Sequence, residues 1–375
     1  MQFSTATRTD PTQSAPSVGV IVPTYREAEN IPLLVERLRA VRMKTGLDLE
    51  VLFMDDNSRD GSAELVAAMA LPWVQLVVRT ADRGLSQAVL DGLNRSQSDV
   101  LVVMDADLSH SPETVSEMLT ALADGADLVV GSRFAEGGST DDDWGLFRWI
   151  NSRVATILAM PLTSLKDPMS GFLALRRETF LAGRDFNPIG YKIGLELIIK
   201  CRCKRVVEVP IHFVDRQFGE SKLSFKEQLR YLQHLRRLYI YKYGTWSHLI
   251  QFLTVGASGL VVNLLFLTLF LHWGMDHRLA IGLPIGISMV WNFALNRRFS
   301  FSYARSYSIL WQFAGFVAAC SLGAVVNYFT TAAVWDMFQY KQIAAGLGVV
   351  AGTGFNFVAN RFFVFRARHV KSGTQ

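Results

Sequence analysis

The apolar positions of this chain follow two regimes that change near residue 243. Before that point, short and nearly uninterrupted apolar runs alternate with stretches whose apolar residues recur at helical spacing. The runs at 18–22, 49–54, 74–78, 100–104 and 128–130 predict strands buried on both faces, because such strands lose the polar alternation of a half-exposed one. Residues 29–43, 62–69, 85–94 and 112–123 predict helices between them. Strands separated by helices predict a parallel sheet covered on both sides, hence an α/β Rossmann-like domain. Ligands of such sheets sit beyond the carboxyl ends of the strands. Polar clusters fall at four of those ends: Thr24-Tyr25-Arg26-Glu27, Asp55-Asp56-Asn57-Ser58, Asp105-Ala106-Asp107 and Gly131-Ser132-Arg133.

Beyond residue 243 the pattern becomes long apolar stretches at 249–271, 279–295, 310–334 and 343–363. Each approaches the roughly 20 residues that cross a bilayer. The second is short and contains Pro284, which leaves its limits open. Basic residues gather before the first stretch (Arg236, Arg237, Lys242), after the second (Arg297, Arg298, Arg305) and after the fourth (Arg361, Arg366, Arg368, Lys371). That asymmetry predicts an integral, multi-pass protein with its catalytic part and both chain ends in the cytoplasm. The region is also internally repeated. Asn292-Phe293-Ala294-Leu295-Asn296-Arg297 returns 64 positions later as Asn356-Phe357-Val358-Ala359-Asn360-Arg361, and Asn263 and Asn327 share the offset. Each copy holds two spans, so the copies are expected to run parallel. Asparagine is costly at membrane depth without a partner, so these should face the bundle interior.

The resulting organisation is a disordered tail (1–17), a catalytic domain (18–225), an amphipathic interfacial helix (226–248), a transmembrane domain (249–366) and a basic tail (367–375). The helix places Lys222, Lys226, Arg230, His234 and Arg237 at spacings of three or four, with Leu229, Leu232 and Tyr239 on another face. Such a helix suits a membrane surface, or packing on the catalytic domain. The opening residues lack the apolar core of a signal peptide.

Composition adds a net charge of +5, compatible with anionic lipids or phosphorylated substrates. Nucleic acid is a poor partner, because no dense basic patch carries interleaved aromatics. The three cysteines include Cys201 and Cys203, too close for an ordinary disulfide, and no zinc cluster is legible. Asp105-Ala106-Asp107 is the centre of the chemistry. Hard carboxylate oxygens suit Mg²⁺ or Mn²⁺, which usually also hold substrate phosphates.

Around that pair the sequence resembles family two glycosyltransferases, specifically the dolichol/polyprenyl-phosphate mannose synthase group. Val22-Pro23-Thr24-Tyr25-Arg26-Glu27, Asp55 to Gly61, Asp105 to Pro112, Gly131-Ser132-Arg133, Asp167 to Phe172, Gly190-Tyr191-Lys192, Arg216 and Lys222 follow in the family's order. Residues 249–365 resemble the GtrA family through the repeated Asn-Phe-x-x-x-Asn-Arg. The resemblance implies a GT-A nucleotide-sugar-binding fold with a four-helix transmembrane domain. It implies that Pro23, Tyr25, Glu27, Asp55, Asp56 and Ala106 meet the nucleotide sugar, and that Asp105, Asp107 and Ser109 hold the metal. Ser109 stands where some relatives carry Gln. Arg216 and Lys222 would close over the diphosphate, and Arg133, Arg148 and Ser152 would hold the acceptor phosphate. Asp167 would orient sugar hydroxyls or act as base. The implied reaction is inverting transfer of mannose from GDP-mannose to a polyprenyl phosphate at the inner membrane. UDP-glucose as donor is the alternative within the class, and translocation of lipid-linked sugars or a scaffold role the alternative outside it.

Overall fold

The computed structural model describes residues 16–140, 146–213, 225–338 and 340–366; side chains of 146–149, 225, 335, 338, 341, 342 and 345 lie outside the description. Two compact units divide the chain, 1–242 and 243–375.

The first unit opens with β1 (Val18–Thr24), α1 (Asn30–Thr45), β2 (Leu49–Asp55), α2 (Ser62–Ala68) and β3 (Val74–Val78). It continues through α3 (Leu85–Arg95), β4 (Val100–Val103), α4 (Val115–Ala123), β5 (Leu128–Ser132), β6 (Ser139–Thr140) and α5 (Leu146–Ala159). After these come β7 (Leu173–Arg176), α6 (Arg177–Ala182), α7 (Ile193–Lys200), β8 (Val206–Pro210), β9 (His212–Phe213) and α8 (Phe225–Tyr243). All five predicted strands form, as do the predicted helices.

Seven strands make one sheet in the order β3-β2-β1-β4-β7-β5-β8. Alternation sends Val18, Val20 and Val22 to the apolar layer under α1 and α4, while Ile21 joins the layer under α3. Burial on both faces is therefore as expected. The sheet is not wholly parallel, however: β7 runs antiparallel to both β4 and β5. Its run of four apolar-to-basic residues carries no signal of direction, which is fixed only by the neighbours it pairs with. That reversal matters for the site. A strand running against the others begins at the edge where they end, so Asp167–Phe172 arrive beside Asp105 and Arg133.

Helix α8 packs along α5. Tyr231 Oη donates to the Ala155 carbonyl at 2.7 Å, and Tyr239 Oη donates to that of Leu158 at 2.8 Å. The two helices leave Ile150, Val154 and Ile157 of α5, with Met160 just after it, and Leu229 and Leu232 of α8 exposed. His234 corrects the expected basic stripe. It is fully buried, 3.7 Å from Glu196 Oε2, and its Nδ1 accepts from the Ile189 amide.

The second unit contains α9 (Thr245–His272), α10 (His277–Leu295), α11 (Ile309–Phe338) and α12 (Lys341–Ala359). Among the described residues four helices are long and apolar enough to cross a membrane, over Thr245–His272, His277–Ser300, Ile309–Val334 and Gly346–Val364. The second is longer than expected: Asp276 caps its start by accepting from the amides of Arg278 and Leu279, and Pro284 is accommodated inside it. Both α10 and α12 end in a wider π turn, Asn296–Ser300 and Asn360–Val364, so the 64-residue repeat extends to backbone geometry.

Six buried phenylalanines form this unit's core, and they are three repeat pairs: Phe252 and Phe316, Phe293 and Phe357, Phe301 and Phe365. Their contacts cross between copies. Phe252 meets Phe357 at 5.7 Å, its counterpart Phe316 meets Phe293 at 5.7 Å, and Phe301 stacks on Phe365 at 4.9 Å. Small residues let the helices approach: a Cβ on Gly259 would run into Asn292, and one on the equivalent Gly323 into Asn356. Asn296 and Asn360 are buried, as a polar group at this depth requires.

Candidate active site

At the carboxyl edge of the sheet a cavity of about 330 Å³ opens in the first unit. Pro23, Tyr25, Glu27, Asp56, Asp105, Ala106 and Asp107, all singled out from sequence, line it. Strand β4 ends at Val103, so the alternation that would separate the two carboxylates no longer applies at Asp105 and Asp107. Leu108 follows in the left-handed region (φ 60°), where an L-residue is held only by surrounding structure.

Several residues hold this arrangement from behind. Ser109 Oγ donates to Asp107 Oδ1 at 2.5 Å and its amide donates to the same oxygen at 3.2 Å, so Ser109 orients Asp107. Asp55 is buried and braces the next turn, accepting from the amide and hydroxyl of Ser58; Ser58 Oγ in turn accepts from the Arg26 amide at 2.9 Å. Asp55 therefore ties the loops after β1 and β2 together from outside the cavity. Asp56 lines the cavity while its carboxylate bonds Arg79 and accepts from the Gly84 amide at 2.7 Å.

The loop after β3 brings residues that sequence reasoning passed over. Arg83, Gly84, Leu85 and Ala88 line the same cavity, with the Arg83 guanidinium 5.4 Å from the Tyr25 ring centroid. Buried Arg79 anchors that loop by pairing with Asp56 and Asp91 and donating to the Asp82 carbonyl. Gly84 adopts φ 136°, a conformation that favours glycine. The signal was present: Arg79-Thr-Ala-Asp-Arg-Gly84 is a fifth polar cluster at a strand end.

His110 was also missed as an individual. Its Nδ1 accepts from the Asp105 amide at 3.1 Å, which places the neutral ring's proton on Nε2. The ring stacks on Phe172 at 5.0 Å. Burial pushes this imidazole below its ordinary value, against the pull of the Asp105 and Asp107 carboxylates.

Asp167 is fully buried and clasped by Arg133. The guanidinium bonds both carboxylate oxygens, Nε to Oδ2 at 2.7 Å and Nη2 to Oδ1 at 2.8 Å, and the Arg133 amide adds 3.1 Å to Oδ2. Glu208 holds Asp167 from the other side by accepting from its amide. Ser152 lies on α5 and is half-buried. Arg148 is on the same helix, but its side chain lies outside the described residues, as do Arg216 and Lys222.

The donor set suits a hard divalent cation. Two carboxylates share one cavity wall, and Asp105 has no Lys or Arg within ion-pair distance among the described residues. No third His, Cys, Asp or Glu joins them among those residues, which leaves coordination positions for substrate oxygens.

A mixed α/β sheet with an acidic pair at its carboxyl edge, joined to four membrane-length helices, defines a membrane-bound GT-A glycosyltransferase. Residues 19–182 match glycosyl transferase family 2 and residues 251–365 match the GtrA/DPMS transmembrane domain. The dolichol-phosphate mannosyltransferase of Pyrococcus furiosus is 37% identical over 349 residues, which is 92% of this chain and 98% of that protein. That of Saccharomyces cerevisiae is 44% identical over 247 residues, covering 63% and 91%. The polyprenol monophosphomannose synthase of Mycolicibacterium smegmatis is 37% identical over 217 residues, covering 55% and 80%. The chain belongs to the dolichol-phosphate mannosyltransferase group of glycosyl transferase family 2.

Proposed function

We propose that this enzyme transfers mannose from GDP-mannose to the phosphate of a polyprenyl lipid, with inversion at the anomeric carbon. The observation that carries this reading is the cavity in which the Asp105–Asp107 pair faces Tyr25 and Arg83, within a chain collinear with the Pyrococcus enzyme. Tyr25 offers its ring to the base, with Pro23, Glu27 and Asp56 around the nucleoside. Asp105 and Asp107 would hold Mg²⁺ or Mn²⁺. When bound, such an ion supplies Lewis-acid stabilisation of charge on the departing diphosphate.

The acceptor oxygen is anionic at neutral pH, so positioning counts for more than a strong base. Arg133, with its guanidinium plane fixed by Asp167, and Arg148 with Ser152 on α5 would orient the acceptor phosphate. Asp167 then acts through Arg133 rather than as the base. Arg216 and Lys222 would cover the diphosphate. The exposed apolar residues of α5 and α8 would rest on the bilayer surface, delivering the lipid beside the site. The arginine-rich end of the membrane unit faces the cytoplasm by the positive-inside rule, which puts the catalytic unit there, at the cell's inner membrane.

The test uses the purified full chain with farnesyl phosphate, Mn²⁺ or Mg²⁺, and GDP-mannose or UDP-glucose in parallel. Formation of β-linked farnesyl-phosphate mannose, seen in the anomeric NMR coupling, is the expected result. Faster transfer from UDP-glucose, or an α-linked product, overturns the donor or the stereochemistry respectively.

A further inference from the structure

Charge in the membrane unit is divided between its ends. Residues 243–375 contain two acids, Asp276 and Asp336. Both belong to the end where α9 and α11 finish. The opposite end, where α10 and α12 finish and α11 begins, carries Arg297, Arg298, Arg305, Arg361 and Arg366 and no carboxylate.

Between α10 and α11, at the arginine end, lies a cavity of about 650 Å³. Its walls are apolar, formed by Val290 and Phe293 from α10 and Leu310 and Phe313 from α11, and Arg297, Arg298 and Arg305 stand at one end. Two of these arginines build the loop. Arg297 donates to Gln312 Oε1 at 2.7 Å and to the Arg305 carbonyl at 2.8 Å, and Arg305 donates back to the carbonyls of Arg297 and Arg298. Arg298 is different. It is exposed, its side chain donates no hydrogen bond among the described residues, and its guanidinium lies 5.8 Å from the Phe299 ring centroid.

The repeat provides an internal comparison. Arg297 returns as Arg361, but Arg298 returns as Phe362. The helix end and its π turn form in both copies, so the fold does not require this arginine. In the first copy it stands at the mouth of the cavity.

We propose that this groove binds a membrane lipid whose headgroup is a phosphate monoester. The chain lies along the Phe293 and Phe313 wall, and Arg298 forks the phosphate oxygens while Arg297 and Arg305 supply a positive field. Three guanidinium groups without a carboxylate match a dianion, and a planar fork binds the terminal oxygens of a monoester in pairs. The volume falls in the range of sites for small organic ligands. The inference rests on the membrane unit alone and does not require the proposed donor or acceptor chemistry.

The test is photolabelling of the full chain in dodecyl maltoside with farnesyl phosphate carrying a diazirine on its last isoprene, followed by peptide mapping. Label is expected within residues 290–313. R298Q should reduce it about tenfold or more, the loss of one charge-assisted contact. R366Q, which removes one charge outside the groove, should not. Unchanged labelling in R298Q, or equal labelling by the diazirine of farnesol, overturns the site. Equal competition by dioleoyl phosphatidylglycerol would make it a diester site, and displacement by inorganic phosphate an ion site without a lipid; either overturns the proposal. Label in residues 146–159, which the acceptor reading predicts, is mapped separately, so the two failures are distinguishable.

Discussion

Replacing Asp167 by Asn, and Arg133 by Gln, separates two roles for this buried carboxylate. If Asp167 serves to orient Arg133, both substitutions damage one device. Each removes charge from a pair joined by two side-chain hydrogen bonds, with Arg133 only 11% exposed and Asp167 fully buried. A hydrogen bond to a charged group contributes about 1.5–3 kcal/mol, so each variant should lose roughly ten- to a hundredfold in acceptor kcat/KM. The double variant should then be no worse than the poorer single one, because the second change removes nothing that remains. An independent base predicts instead that the two losses multiply, to about a hundred- to ten-thousandfold. The assay is initial rate against farnesyl phosphate concentration for the four proteins, with GDP affinity by calorimetry as a check that the nucleotide site survives. Multiplying losses, with kcat collapsing in D167N alone, would refute the positioning role.

Asp105→Ala and Asp107→Ala should abolish transfer without loss of the folded state, and chelator should do the same to the unaltered protein; full activity in excess chelator would contradict the metal assignment. His110→Ala removes the acceptor of the Asp105 amide and its stack on Phe172. The Mn²⁺ concentration for half-maximal rate should rise by about two- to tenfold, the scale of one neutral hydrogen bond, and an unchanged metal titration would count against the strut. Burial lowers the His234 pKa below its ordinary 6.5 despite the nearby Glu196 carboxylate, with Lys200 and Arg237 adding to the lowering. The neutral form is therefore the folded one: its contribution to stability is complete above pH 6.5 and is lost as pH falls from there through the folded-state value. Melting temperature should drop between pH about 7.5 and about 5.5, and H234Q should flatten that slope; identical slopes would rule His234 out. Gly323→Ala should weaken the membrane unit by about 1–3 kcal/mol, the usual cost of overpacking, because Asn356 occupies the space of the new methyl. Loss of helical signal on heating in micelles would report it.

Strands β1 to β5 and the acidic pair were legible because burial on both faces and polar strand ends are local features. What could not be read depended on partners distant in sequence. Strand β7 takes its direction from β4 and β5, and Asp167 meets Arg133 across 34 positions. Asp56, expected from sequence to meet the nucleotide sugar, lines the cavity, but its engagement by Arg79 required knowing where the chain returns after β3. His234 shows the limit of periodicity. Its spacing put it among exposed cations, whereas Glu196 and the Ile189 amide draw it inward. The 64-residue repeat was visible as similar residues, but its contacts were not, since each phenylalanine is completed by the other copy.

That crossing has a consequence for how the membrane unit came to be. Neither half can close its aromatic core alone, yet two identical halves side by side would supply every contact: Phe252 of one on Phe357's counterpart in the other, and the Phe301 position on itself. The geometry is that of a parallel homodimer whose members have been fused through the segment following the first π turn. Fusion frees association from dilution, since the partner is always tethered. It also ends the obligation of sameness. In a symmetric dimer any substitution appears twice; here Pro284 in one copy corresponds to Gly348 in the other, and Arg298 to Phe362, each change made on one side only.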